Sequence, residues 1–292
     1  MKKRIVLIAL GVVVVAAALI ALYLTPEPQT YTDFSMGSVL TQTYWWGSSD
    51  QAILAAIQEL ELQLVNMDAP PELAIEIMEA SNGAYNPYLG ALTKLWDIDG
   101  EGNVPAQEEI EAALQKNELD LGAYGKGAAC DEAMRVVMRV FGDYEIPCAA
   151  VINLGGNIMT YGQKPWGKPF KIALRDPNGG PNDTMGMFTL RGTHFISTSG
   201  SYEKYFEQDG ERYHHIFDPE TGYPACRESG LVSVTVINDN GALGDAISTA
   251  CFVLGYEDSL DLLEQYNCDA LFVYDDGEIR PVGRVMEYYE AR

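Results

Sequence analysis

Asp245 and Thr249 stand four residues apart in the segment GDAIST, which begins at Gly244. On a helix that spacing stacks a carboxylate and a hydroxyl on one face. The pair suits a hard, oxygen-preferring cation such as Mg2+, which takes its other ligands from water and substrate phosphate. The plainer alternative makes Asp245 an N-cap and Thr249 a surface residue. Upstream, DLGAYGKG begins at Asp120 and opens a second helix. Its glycines let a ligand approach the backbone, and free N–H groups at a helix start favour anions. Lys126 adds a cation there. The stretch matches neither the P-loop nor the GxGxxG dinucleotide pattern, and a purely structural turn is its alternative.

His214 and His215 precede the turn DPETG at 218–222. On a strand two adjacent side chains point to opposite faces, so only one of these histidines can face a site. The chain has three histidines in all, which argues against a zinc centre built on them. Asn153 opens NLGGN, a glycine turn between strands, and Ser197 opens STSG; each is weak alone.

These segments need elements to hold them. Apolar spacing predicts helices over 51–65, 72–81 and 106–115, a short strand over 118–121 and a helix over 126–141. Strands are expected at either side of the Gly155-Gly156 turn, over 171–175 and 187–190, and in a hairpin within 194–217 that turns at Asp209-Gly210. A strand over 231–237 leads to a helix over 245–255, stopped by Gly255. A helix over 260–266 and strands over 270–274 and 279–282 close the chain. Helices and strands mix without βαβ regularity, so the expected class is α+β with mainly antiparallel sheet and packed helices.

The net charge of −23 over 292 residues repels nucleic acid, which needs a basic footprint. It also repels a phosphate-bearing ligand unless a metal or a local lysine reverses the field. Lys2, Lys3 and Arg4 precede an uncharged apolar run over 5–24. Twenty helical residues cover roughly the 30 Å hydrocarbon core, and positive charge before the run predicts a cytoplasmic N-terminus. Residues 1–24 are therefore expected to be a single-pass signal anchor in the cell membrane, residues 25–35 a proline-stiffened linker, and residues 36–292 an extracytoplasmic domain. A cleaved signal peptide is the alternative, but no small-x-small cleavage site is apparent. The five cysteines form no CxxC and are expected to be buried thiols.

In order, LDLGAYGKG, INLGGNI, STSGSYEKYF, YHHIFDPETGYP and GDAISTA closely resemble the ApbE family of FAD:protein FMN transferases. Met36-Gly37-Ser38 and the segment GAYNP at 83–87 fit the same pattern, so the resemblance runs from about Met36 to the chain end. It implies an ApbE-type, T-fold-like α+β domain that binds FAD with Mg2+, transfers FMN to a Thr or Ser hydroxyl of a target flavoprotein, and releases AMP. It places Asp245, Thr249 and the Ala123 carbonyl on the metal. Asp120, Lys126, Met36, Ala84, Tyr85 and Asn86 fall around FAD, and His215 becomes the candidate for orienting or deprotonating the acceptor hydroxyl. Tyr85-Asn86-Pro87 stands where the family usually has Phe-Asp-Pro, which removes a carboxylate. No self-acceptor motif is apparent, so the implied partner is a separate respiratory or extracellular electron-transfer flavoprotein. An FAD pyrophosphatase, with water as acceptor, and a non-catalytic surface flavin-binding module are the competing readings.

Overall fold

The computed structural model describes residues 26–142, 148–180, 182–226 and 229–292. The expected membrane anchor over 1–24 lies outside them. Among the described residues no helix is long and apolar enough to cross a membrane.

An eight-stranded antiparallel sheet organises the molecule. Its strands are β1 (Gln29–Ser35), β2 (Ser38–Trp45), β3 (Ala149–Leu154), β4 (Asn157–Gly162), β7 (His194–Gly200), β10 (Leu231–Asn238), β11 (Asp269–Tyr274) and β12 (Ile279–Val282), paired in that order. Between β4 and β7 the chain makes β5 (Phe170–Arg175) and β6 (Thr184–Leu190), which join β13 (Tyr289–Ala291) in a small second sheet. A hairpin of β8 (Tyr205–Gln208) and β9 (Glu211–His214) leaves the main sheet after β7. The class is thus α+β and mainly antiparallel, as the sequence predicts.

Period-two alternation divides the core between the two faces of the main sheet. Val234, Val236, Ala270 and Phe272 face one side, packed on α6 (Gly241–Asp258) and α7 (Leu260–Gln265). Ile237, Leu271 and Val273 face the small sheet, against Ile172, Phe188 and Leu190. Farther along the helical side, α5 (Gly122–Phe141) lies between the sheet and α1 (Asp50–Val65), with Ile53 and Ile57 meeting Ala133 and Val137. The helix α2 (Glu72–Ala80) joins the cluster under α6. Two short helices, α3 (Gly90–Trp96) and α4 (Gln107–Leu114), form a separate apolar cluster with Tyr213 and Phe217.

Several boundaries differ from expectation for local reasons. Residues 29–35, the end of the expected linker, form the edge strand β1 with Gln29 opposite Tyr44 and Ser35 opposite Ser38. The strand expected at 118–121 reduces to one bridge between Leu89 and Glu118, because the Asp120 N–H turns to the Pro87 carbonyl at 2.8 Å. Helix α5 starts at Gly122 rather than Lys126, with a non-helical step at Ala123 (φ −90°, ψ 20°). Helix α6 starts at Gly241; its N-cap is Asn240, whose side chain accepts from the Leu243 N–H at 2.8 Å, and Asp245 lies inside. Gly255 (φ 78°) interrupts that helix without ending it. All five cysteines are free thiols, and burial pushes Cys148 up to about 11.

Candidate functional site

Helices α5 and α6 cross at two glycines. A Cβ on Gly127 would lie 2.1 Å from the Gly241 carbonyl oxygen and 2.6 Å from the Asp245 Cβ; one on Gly241 would lie 2.2 Å from the Gly127 carbonyl. Only two glycines allow backbones this close. The approach lets the Gly127 N–H donate to Asp245 Oδ2 at 2.9 Å, while Asn157 Nδ2 donates to Oδ1 at 3.2 Å. Asp245 is 4% exposed, so its carboxylate is buried on fixed donors from α5 and β4. In an unbroken helix the Gly127 N–H would belong to the Ala123 carbonyl. The break at Ala123 and the bond to Asp245 bring that carbonyl and the carboxylate to one stretch of α5.

The crossing is held by a second carboxylate. Asp131 of α5 accepts from the Gly241 N–H at 2.7 Å and the Ala242 N–H at 2.8 Å, capping α6 from outside. Burial raises the Asp131 carboxyl above its ordinary value, and these two bonds pull it back.

One turn further along α6, the Thr249 hydroxyl lies 2.9 Å from the Ser199 hydroxyl of β7, which lies 2.8 Å from that of Ser248. Ser248 donates to the Asp245 carbonyl at 2.9 Å. Asp245 and Thr249 therefore share a helix face, joined by a hydroxyl chain that includes Ser199 and Ser248.

Two tight turns border this face. Met36-Gly37, between β1 and β2, and Gly155-Gly156, between β3 and β4, all have positive φ, the type I′ geometry. The Met36 N–H donates to Glu61 at 3.0 Å, and its side chain reaches within 3.1 Å of where a Gly125 Cβ would stand. Lys126 reaches the Gly155 turn, and its ammonium donates to the Gly122 carbonyl at 3.2 Å. Asp120 accepts from the Gly122 N–H at 2.8 Å and from Thr93 at 2.6 Å. Tyr85 is 2% exposed, yet its hydroxyl has no hydrogen-bond partner among the described residues, nor has Asn157 Oδ1. Burial drives the Tyr85 hydroxyl far above its ordinary value, and the charges of Asp245, Tyr124 and Asp120 add to this. The Asn86 side chain accepts from the Tyr88 N–H at 2.9 Å and fixes the loop beside Ala84.

The two histidines separate at the end of β9, of which His214 is the last residue and His215 the first beyond it, so the separation expected of a strand occurs at its exit. His214 is buried, with Nε2 3.0 Å from the Ala225 carbonyl and Nδ1 accepting from the Ile216 N–H, and is structural. His215 is half-buried, and its Nδ1 lies 3.3 Å from the Lys204 carbonyl. A carbonyl can only accept, so Nδ1 carries the proton and Nε2 has its lone pair available. Burial, helped by His214, Lys126 and Lys204, pushes His215 down to about 4. The ring is thus neutral at pH 7 and within the field of Lys126. The turn after it is anchored by Asp218, which accepts from the Glu220 N–H and the Thr221 hydroxyl, each at 2.9 Å. Trp96 of α3 donates to the Gly222 carbonyl at 3.0 Å and locks that turn onto the α3–α4 cluster.

Asp245, Thr249, Ala123 and Lys126 are therefore brought together, with Met36, Tyr85, Asp120 and His215 around them. Ser199 and Asn157 lie in motifs visible in the sequence, but their contacts to Thr249 and Asp245 are long-range. Asp131 and Gly241 carry no local signal at all. Among the described residues no group of three or more His, Cys, Asp or Glu side chains is placed so that it could hold a metal ion. What the site offers a metal is one carboxylate with hydroxyl and carbonyl oxygens, and two buried polar atoms without partners.

The fold is shared with known proteins. The ApbE family model matches residues 66–272, and the chain belongs to the ApbE family. It is 34% identical over 253 residues to the FAD:protein FMN transferase of Treponema pallidum, covering 74% of this chain and 67% of that one. Against a FAD:protein FMN transferase of Klebsiella pneumoniae it is 36% identical over 221 residues, covering 68% of this chain and 66% of that one. The chain thus spans about two thirds of the length of these curated relatives. The crystal structure of the ApbE protein of Thermotoga maritima superposes with a TM-score of 0.75 at 27% identity, over 90% of this chain and 99% of that one. The apo flavinyl transferase ApbE of Pseudomonas stutzeri gives a TM-score of 0.70 at 26% identity, over 92% and 98%.

Proposed function

We propose that this chain is a Mg2+-dependent FAD:protein FMN transferase that moves FMN from FAD to a Thr or Ser hydroxyl of a target flavoprotein and releases AMP. The observation that carries the reading is the meeting of Asp245, Thr249 and Lys126 at the glycine-rich start of α5, in a chain of this family. A strongly acidic protein needs such a local reversal of field to hold a pyrophosphate.

The donor set fits Mg2+, because every available group is oxygen and two buried polar atoms still lack partners. Asp245, Thr249 and the Ala123 carbonyl would hold the ion, which when bound supplies positive charge to the pyrophosphate. Gly127 and Asn157 orient the carboxylate, and Ser199 orients the Thr249 hydroxyl. Lys126 attracts the phosphates from the other side. The acceptor hydroxyl oxygen attacks the FMN-side phosphorus and forms a new P–O ester bond. The bridging P–O bond breaks, and its electron pair leaves with AMP. His215 Nε2 faces no competing proton at neutral pH and receives the hydroxyl proton.

The proposal extends to location. Residues 5–24 anchor the chain in the cell membrane, and the folded domain acts on its extracytoplasmic side, where the acceptor is an electron-transfer flavoprotein. The apolar run behind Lys2, Lys3 and Arg4 supports this.

Incubating the full chain with FAD, Mg2+ and a threonine-bearing acceptor domain tests the chemistry. Mass spectrometry should find acceptor carrying FMN; EDTA should stop the reaction and added Mg2+ restore it. FAD converted to FMN and AMP without an adduct would establish the pyrophosphatase instead. Tight flavin binding without turnover would leave only a carrier.

A further inference from the structure

From residue 146 to residue 175 the chain contains no Asp or Glu, although its net charge is −23. The same stretch contains Lys164, Lys168, Lys171 and Arg175. The fold gathers three of these cations with aromatic rings at one place. The Lys164 ammonium lies 4.5 Å from the centre of the Trp45 ring and 5.7 Å from that of Phe170, and the two rings meet edge-on at 6.0 Å. Trp166 stands in the turn Pro165–Gly167 with φ 61° and is 64% exposed. The Arg191 guanidinium donates to the Gly167 carbonyl at the base of that turn. Lys168, Lys171 and Arg191 are exposed. Among the described residues, none of Lys164, Lys168, Lys171 and Arg191 forms an ion pair. Burial, followed by repulsion from Lys168 and Lys171, holds Lys164 below its ordinary value.

The position of this patch indicates what covers it. Gln29 pairs with Tyr44, Trp45 with Ala149, and Ala149 with Gly162. The patch therefore sits on the row of strand ends at which the chain arrives from its N-terminus. Four residues separate Leu24 from Gln29, five steps of chain that span at most about 18 Å when fully extended. The turns Met36-Gly37 and Gly155-Gly156, which border the Asp245 site, lie at the opposite strand ends, about 20 Å away along six-residue strands. Tryptophan beside lysine is the chemistry of a bilayer's interfacial zone, where rings lie among headgroups and ammonium groups meet phosphates.

We propose that the face made by Trp45, Lys164, Trp166, Lys168, Lys171 and Arg191 docks on the phosphate headgroups of an anionic bilayer, so that the Asp245 site faces away from the membrane. This rests on the reading of residues 5–24 as the anchor. An acidic surface of an acceptor protein would match the charges, but it gives no reason for the patch to lie where the tether enters.

The test uses the full chain in phosphatidylglycerol vesicles whose acyl chains are brominated close to the headgroup. Residues 1–25 contain no tryptophan and Trp96 is fully buried, while Trp45, its neighbour Trp46 and Trp166 all stand at this end of the sheet, so quenching of tryptophan fluorescence reports on the patch. Quenching is expected in the parent chain, reduced to the contribution of Trp45 and Trp46 in Trp166→Phe, and weakened about tenfold or more in Lys168→Glu/Lys171→Glu. Flotation with the vesicles separates the two layers of inference. A chain that floats but is unquenched, or is quenched equally in the charge-reversed variant, overturns the docking face and leaves the anchor standing. A chain that does not float overturns the anchor and the docking face together. Charge reversal that slows FMN transfer to a soluble acceptor while leaving quenching intact would assign the patch to the acceptor and overturn the proposal.

Discussion

The two ends of the main sheet are built in opposite ways. At the end with the Met36 and Gly155 turns, polar groups are buried and fixed by partners distant in sequence: Gly127 on Asp245, Asn157 on Asp245, Ser199 on Thr249. At the end with Trp45 and Gly162, most of the patch comes from one short stretch around Trp166 and stays exposed. Chemistry on phosphate needs charges held without water, which takes several elements to enclose. Docking on a surface needs charges left in water, which one turn can present. In a chain with a net charge of −23 the cations at the two ends stand out: Lys126 at the first, and Lys164, Lys168, Lys171 and Arg191 at the second.

The comparison can be broken most sharply at Asp245. Asp245→Ala should remove transfer by at least about a thousandfold in a mass-spectrometric assay, while the circular dichroism stays native. Retained activity would show that the buried end is not the reactive one. His215→Gln should cost about 100-fold in kcat/KM with a smaller change in KM. The acid limb of the parent's pH profile should follow the neutral ring: full activity at neutral pH and a fall only as pH drops through about 4. A fall centred near the ordinary histidine value would mean that His215 is solvated rather than enclosed. Gly127→Ala should destabilise the fold by about 1–3 kcal/mol in denaturant unfolding, because the added methyl meets the Gly241 carbonyl, and should weaken transfer as Asp245 shifts. The smallest effect belongs to the other end. Lys168→Glu/Lys171→Glu should leave transfer to a soluble acceptor unchanged, and any large loss would join two ends that the structure separates.

Much of the framework can be read from residue order. The Asp209-Gly210 hairpin, the strands beside Gly155-Gly156 and the helices around 51–65 and 72–81 carry their own turn residues and spacing. Asp245 and Thr249 share a face because helical geometry puts them there. What local reading misses has a common physical cause. The strand β1 alternates polar residues at the sheet edge after two prolines, so it has little apolar pattern to reveal it. The strand expected at Glu118 shrinks to one bridge because the Gly90 N–H takes the Glu118 carbonyl and the Pro87 carbonyl takes the Asp120 N–H. Asp131, Gly241 and Ser199 act only across contacts that no short window contains.

The same long contacts set an order in time. Gly127 and Asp245 are 118 residues apart, Asp131 and Gly241 are 110 apart, and Trp96 reaches Gly222 across 126. Loop closure over such separations is slow compared with forming a helix or a hairpin. A chain still emerging from its channel, with α6 not yet free, has the lysine and both glycine turns but no carboxylate for them to face. The reactive centre is therefore assembled last, when nearly the whole chain is available, and flavin added during synthesis should find only finished molecules.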